Sequence, residues 1–254
     1  MKHNIHTSFI LTPIIEILKE SVSVCHCLGN GIETQPLCDY IMQSTFLKMT
    51  GASEQKLKCI CWEMATYDYE YRYQIQTNPL GECSCFAEKK RVYNDMLDVI
   101  SNLGSCYNFD NLFNSEKKNG IVDKIKDEII STISDSLIEK WENRAFLFYK
   151  SNPSTYTKDS LFANRNTDKN AKSPYSFLEN DLKKYYEDVV YRQRNRCAHN
   201  LKSYQSNLPT FSTLINTTYD YENYFHMISV LLLLDNIYMI LYREYIYLLD
   251  DMVL

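Results

Sequence analysis

The chain has 254 residues, 45% hydrophobic and 13% aromatic, with a formal net charge of -5. That length and apolar content can fill one generous core, and the acidic balance excludes a protein that coats nucleic acid non-specifically, though not a local basic patch. Nine cysteines without a secretory leader read as free thiols in a reducing compartment, so the expected location is cytoplasmic.

At the N-terminus, Glu16, Lys19 and Glu20 follow the apolar residues and argue against a signal peptide, while Pro13 after Thr12 marks a helix start. Short helices are expected near 9–27, 38–50 and 88–102. A longer one is expected from Ser53 to Gln76, with Ser53 as N-cap and Asn78-Pro79 as its stop. From Ile121 to Lys150 the residues Val122, Ile125, Ile129, Ile133, Leu137, Trp141, Ala145 and Phe148 recur every three or four positions. That is the spacing of one helix face, and such a helix would span about 40 Å.

Ser151 to Ser176 is polar, carries Pro153 and Pro174 and lacks periodicity. It reads as a long exposed loop. Its basic residues, Lys158, Arg165, Lys169 and Lys172 against Asp159 and Asp168, would suit an RNA-facing flap, but a solvated insertion is the reading preferred. A helix follows from Phe177 to Arg196, with Leu178, Leu182, Tyr185, Tyr186, Val189 and Val190 facing inward. The last helix, Tyr221 to Leu249, is apolar on most sides and belongs in the centre of the bundle. Its most apolar run, Ile228 to Leu241, is interrupted by Asp235 and Asn236 and is shorter than the roughly 20 residues of a membrane span. No run of alternating strands is evident, so the fold class is all-α, in a single domain without a membrane segment.

Several chemistries lose their sequence support. None of the six glycines follows Gly120, and none of the earlier ones has the spacing of a phosphate-binding loop or a dinucleotide fingerprint. Three Cys-x-Cys pairs, Cys25/Cys27, Cys59/Cys61 and Cys83/Cys85, are narrower than the usual zinc knuckle and read as buried or free thiols. No metal and no cofactor is therefore expected. The stretch Tyr67 to Tyr73 could stack unpaired bases, but 21 tyrosines dilute that signal, and packing is the preferred reading.

One stretch points to a site. Val189 to Lys202 holds Arg192, Arg194, Arg196 and Lys202 and no carboxylate, and His199 follows the arginines closely. Cleaving an RNA phosphodiester needs a group that accepts the 2'-hydroxyl proton, one that protonates the leaving oxygen, and positive charge on the transition state. Histidine, near pKa ~6.5, serves either proton role, and arginine grips phosphate through paired donors. Helix positions 194 and 199 diverge by about 140° at ~100° per residue. Arg194 and His199 therefore meet only through a local break or across a two-fold axis joining two copies. A symmetric dimer is expected.

The segment Arg194-Asn195-Arg196-Cys197-Ala198-His199 resembles the R-x4-6-H motif of HEPN ribonucleases. The resemblance implies an up-and-down helical bundle of HEPN type over 54–254, with additional N-terminal helices over 1–53. It implies a metal-independent endoribonuclease, homodimeric with a composite active site, that acts as a toxin or anti-phage effector under an antitoxin or other regulatory protein. By position, Arg194 would stabilise the scissile phosphate, His199 would transfer protons, and Asn195 would position the histidine or the phosphate. Arg192, Arg196 and Lys202 would bind RNA. The chain departs from members that carry His-x-Tyr, because Asn200 and Leu201 follow His199 and the next tyrosine is Tyr204. The alternative is a catalytically inactive module that binds RNA or a protein partner.

Overall fold

The computed structural model describes residues 4–29, 31, 34–104, 107–167, 173–199 and 223–252. Those residues form an all-α helical bundle; their only β pairing is two isolated antiparallel bridges. Two N-terminal helices, α1 (Ile5–Leu11) and α2 (Ile15–Cys25), precede the long α3 (Gln35–Tyr67) and the short α4 (Tyr69–Thr77). Then come α5 (Phe86–Leu103), α6 (Asp110–Phe113), α7 (Ser115–Ile133), α8 (Leu137–Trp141) and α9 (Asn143–Ser151). The C-terminal part holds α10 (Asn180–Tyr185), a π-helical turn (Tyr186–Tyr191), α11 (Arg192–His199) and α12 (Tyr224–Met252).

The helix α12 is the axis of the bundle, packed by α3, α5 and α7 and flanked by α1 and α9. It is long and apolar enough to cross a membrane by length and composition, yet 89% of its most apolar window is buried inside this chain. The expected central helix is thus present. Its polar residues are held by specific partners: Asp235 accepts from Lys56 Nζ at 2.5 Å and from the backbone N–H of Ile14 at 3.0 Å, and Ser229 donates to Tyr149 at 2.9 Å. The Asp235 contacts bind the start of α2, the middle of α3 and the axis together at one buried point. A charge is tolerated there because it is paired and hydrogen-bonded.

Three expected elements are drawn differently. The helices expected over 38–50 and 53–76 are one continuous α3 from 35 to 67, and Ser53 is a buried residue inside it, not an N-cap. The break comes at Asp68, whose extended backbone ends α3 and whose Oδ1 accepts the Tyr71 N–H at 3.0 Å, capping α4. The helix expected over 121–150 also stops, at Ile133. Asp135 turns with φ 63°, Ser136 Oγ accepts the Glu139 N–H at 3.2 Å, and Glu139 Oε2 accepts the Asp135 N–H at 2.6 Å. This Ser-x-x-Glu cap starts α8 and overrides the apolar periodicity that runs through it.

The loop expected to be exposed, 151–176, is in large part packed. Thr157, Phe162, Ala163, Ser173 and Tyr175 are buried, and the segment folds back on itself, with the Ala163 N–H donating to Phe177 O at 3.1 Å and the Ser176 N–H to Asn164 O at 2.8 Å. Lys118 on α7 anchors it through Phe162 O at 3.1 Å and Asn164 Oδ1 at 2.7 Å. Lys169, Lys172 and Asp168 lie outside the described residues. The helix expected from Phe177 begins at Asn180 instead, because Leu178 pairs with Phe162 in one of the bridges; the residues expected to face inward, Leu178 ahead of the helix and Leu182, Tyr185, Tyr186, Val189 and Val190 within the helical stretch, are all buried.

Candidate functional site

The basic stretch enters its helix through the π-helical turn, whose wider winding shifts the phase of α11 relative to α10. Arg192 and Arg196 are exposed, whereas Arg194 and Asn195 are half-buried against α3. Arg192 pairs on the surface with Asp188 at 3.0 Å, a contact of small energetic weight. Among the described residues Arg196 has no carboxylate partner.

Arg194 is held differently. Its Nε donates to Glu54 Oε1 at 3.1 Å and its Nη2 to Glu54 Oε2 at 3.0 Å, while Nη1 donates to Asn195 Oδ1 at 3.2 Å. The side chains of Arg194 and Glu54 are 22% and 12% exposed, so solvent weakens the pair only in part. The hydrogen bond to Glu54 raises the arginine's pKa, keeping it charged. Two parallel N–H to oxygen bonds are also how a guanidinium grips phosphate. Glu54 therefore occupies the donors that the sequence reading assigns to RNA, and part of the charge counted over 189–202 is compensated by Glu54 and Asp188.

Near the pair lies a fully buried lysine. Lys89 on α5 is fully enclosed and donates to Cys83 O at 2.7 Å, with its Nζ 5.9 Å from the centre of the Tyr186 ring. Burial lowers its pKa to about 8, opposed by the nearby Glu54 carboxylate and by Cys83, Cys85 and Glu88. Tyr186, from the π-helical turn, donates to Ser84 O at 2.8 Å. This turn, α3 and the start of α5 thus form the wall that fixes Arg194.

The helix α11 runs without a break from Arg192 to His199. Of the two ways to bring positions 194 and 199 together, a break between them is thus absent from this chain. The His199 side chain, Asn200, Lys202 and Tyr204 lie outside the described residues. Asn195 touches Arg194, an arrangement open to it besides the histidine or phosphate contact expected. Gln193 donates to Tyr224 Oη at 2.9 Å, tying α11 to the start of α12.

Glu54 and Lys89 escaped the sequence reading. Glu54 had a faint signal: it precedes the buried Leu57 and Cys61 by three and seven residues, so it is a carboxylate on the core-facing side of a helix, where a partner is needed. Lys89 likewise precedes the buried Val92, Tyr93 and Met96 in α5.

Among the described residues no group of three or more His, Cys, Asp or Glu side chains is placed to hold a metal. The described cysteines are free thiols, and burial raises the pKa of Cys61 to about 12. In the tyrosine-rich stretch Tyr71 is buried in the core, while Tyr67, Tyr69 and Tyr73 are exposed. Comparison with known proteins finds no family model, no curated protein and no solved structure that matches the chain.

Proposed function

We propose that the chain is a metal-independent endoribonuclease that cleaves RNA by attack of the 2'-hydroxyl on the adjacent phosphorus, leaving a 2',3'-cyclic phosphate and a 5'-hydroxyl. The observation that carries the reading is the polar cluster on α11: Arg194 and Asn195 in mutual contact, flanked by exposed Arg192 and Arg196, on the helix that ends at His199. Its all-α setting is the one the HEPN resemblance implies.

In this reading the Glu54-bound arrangement is the resting state. RNA engages Arg194 when a phosphate takes the place of the Glu54 carboxylate, an exchange of like for like in donor geometry. Asn195 steers the guanidinium, Arg192, Arg196 and Lys202 bind the flanking phosphates, and His199 moves the proton. Because positions 194 and 199 sit about 140° apart on one unbroken helix, each site takes Arg194 from one copy and His199 from the other. An intracellular toxin or anti-phage effector restrained by an antitoxin or other regulatory protein is the setting proposed, in the cytoplasm.

The second reading, a non-catalytic module that binds RNA or a protein partner, draws on the same ion pair, since an Arg194 committed to Glu54 serves folding rather than chemistry. Incubation of mixed RNA with purified protein in EDTA separates the two. Cleavage by the wild type, lost in folded Arg194→Ala and His199→Ala and leaving cyclic-phosphate ends, supports the nuclease. RNA retention without products supports the module.

A further inference from the structure

Lys89 is fully buried, yet its ammonium makes one described hydrogen bond, to Cys83 O at 2.7 Å, besides facing the Tyr186 ring at 5.9 Å. An ammonium has donors beyond the one used here, and a buried one ordinarily sits against a carboxylate. Among the described residues no carboxylate is in ion-pair contact with it. The charge that acts on it most strongly is Glu54 on α3, ahead of Cys83, Cys85 and Glu88 around the start of α5. Glu54, however, spends one bond from each oxygen on Arg194. Lys89, Glu54 and Arg194 all neighbour Tyr186, so one carboxylate serves two largely enclosed cations.

A phosphate that takes the Nε and Nη2 donors of Arg194 deprives Glu54 of both these hydrogen bonds. The Glu54 side chain is 12% exposed, so water replaces them only in part, and a carboxylate left enclosed without a cation is strongly unfavourable. Lys58, one turn along α3, is held by Glu82. Lys89 is enclosed near Glu54 and has donors to spare.

We propose that Lys89 is a positioning residue for the RNA site: when an RNA phosphate takes the donors of Arg194, the Lys89 ammonium takes the Glu54 carboxylate, so that each enclosed charge keeps a partner. The inference rests on the reading that Arg194 grips RNA phosphate, and it holds whether or not the RNA is then cut. The exchange requires the protonated amine. Burial brings the Lys89 pKa down to about 8, so the RNA-bound state holds its proton more firmly than the free one, and affinity falls as pH rises through that value.

The test is fluorescence anisotropy in EDTA with a short rhodamine-labelled 2'-O-methyl oligoribonucleotide of mixed sequence, which lacks the attacking hydroxyl and cannot be cut. Arg194→Ala and Lys89→Met, each checked for folding by circular dichroism, should weaken binding by about tenfold near pH 7. Glu54→Gln should bind more tightly than wild type, and adding Lys89→Met to it should cost nothing further, because no carboxylate then needs a cation. A lysine that only supports the fold, or attracts RNA by its charge at a distance, would weaken binding in both backgrounds. The wild-type pH profile needs no change at Lys89: affinity should fall severalfold between about pH 7 and about 9.5, and this decline should be absent from Glu54→Gln. Binding by Arg194→Ala equal to wild type would overturn the reading of Arg194 and the inference with it. Weakened binding by Arg194→Ala together with a flat wild-type pH profile, unchanged binding by folded Lys89→Met, or an equal loss with and without Glu54→Gln would overturn the inference alone.

Discussion

Arg194 and Glu54, 140 residues apart in sequence, meet through two hydrogen bonds of 3.1 and 3.0 Å and so join the basic helix to the longest helix of the bundle. The pair has two consequences, one for stability and one for activity. Removing Arg194 leaves a largely buried carboxylate without its cation, so Arg194→Ala should cost about 2 kcal/mol in denaturant unfolding. Arg194→Ala with Glu54→Ala should cost less than the sum of the single changes, with a coupling of about 1 to 2 kcal/mol. Additive losses would show that the pair contributes nothing to folding.

The buried Lys89 predicts a pH dependence. Burial brings its pKa from 10.5 down to about 8, so between those values the folded chain binds fewer protons than the unfolded one. Its contribution to stability therefore rises with pH across that window, and the charged form is most costly below it. In urea unfolding between pH 7.5 and roughly 10, wild type should gain on Lys89→Met by about 1 kcal/mol per pH unit. Cysteine and tyrosine titrations remote from Lys89 cancel in the difference, which reports Lys89 together with its coupling to the adjacent Cys83 thiol.

The cap at the start of α8 supplies a local test. Ser136 accepts the Glu139 N–H while Glu139 accepts the Asp135 N–H. Ser136→Ala should lower stability by about 1 kcal/mol, whereas Ser134→Ala, one residue past α7, should leave the melting temperature nearly unchanged.

Much of the bundle was legible because burial imposes helical spacing on the sequence. Val122, Ile125, Ile129 and Ile133 are buried along one face of α7, as their spacing implies, and the apolar run of α12 marks the axis. What misled was local hydrogen bonding superimposed on that spacing. The periodicity crosses Ser134–Ser136 undisturbed although the chain turns there, and Ser53 looks like a cap although it is packed inside α3. The short motif located α11, but Glu54 was out of reach because nothing local links it to Arg194. The π-helical turn was hidden for a different reason: Tyr186, Val189 and Val190 are buried in it, as they would be in an ordinary α-helical turn.

Lys118 gives a readout for the 151–176 segment. Its ammonium fastens Phe162 O and Asn164 Oδ1 beneath a loop that carries Arg165 on its exposed side. Lys118→Met should leave global unfolding within about 1 to 2 kcal/mol of wild type while raising limited-proteolysis cleavage within 151–176 severalfold. Unchanged cleavage would show that the backbone contacts hold the segment without Lys118.

The most direct test of the central claim is RNA cleavage in EDTA by wild type, Glu54→Gln and His199→Ala, with the product ends identified. If Glu54 rests on the phosphate-binding donors of Arg194, Glu54→Gln should cut severalfold faster than wild type. His199→Ala should be inert, and every product should carry a 2',3'-cyclic phosphate and a 5'-hydroxyl. Cleavage that persists in folded His199→Ala, or the absence of cleavage in both wild type and Glu54→Gln, would contradict the account.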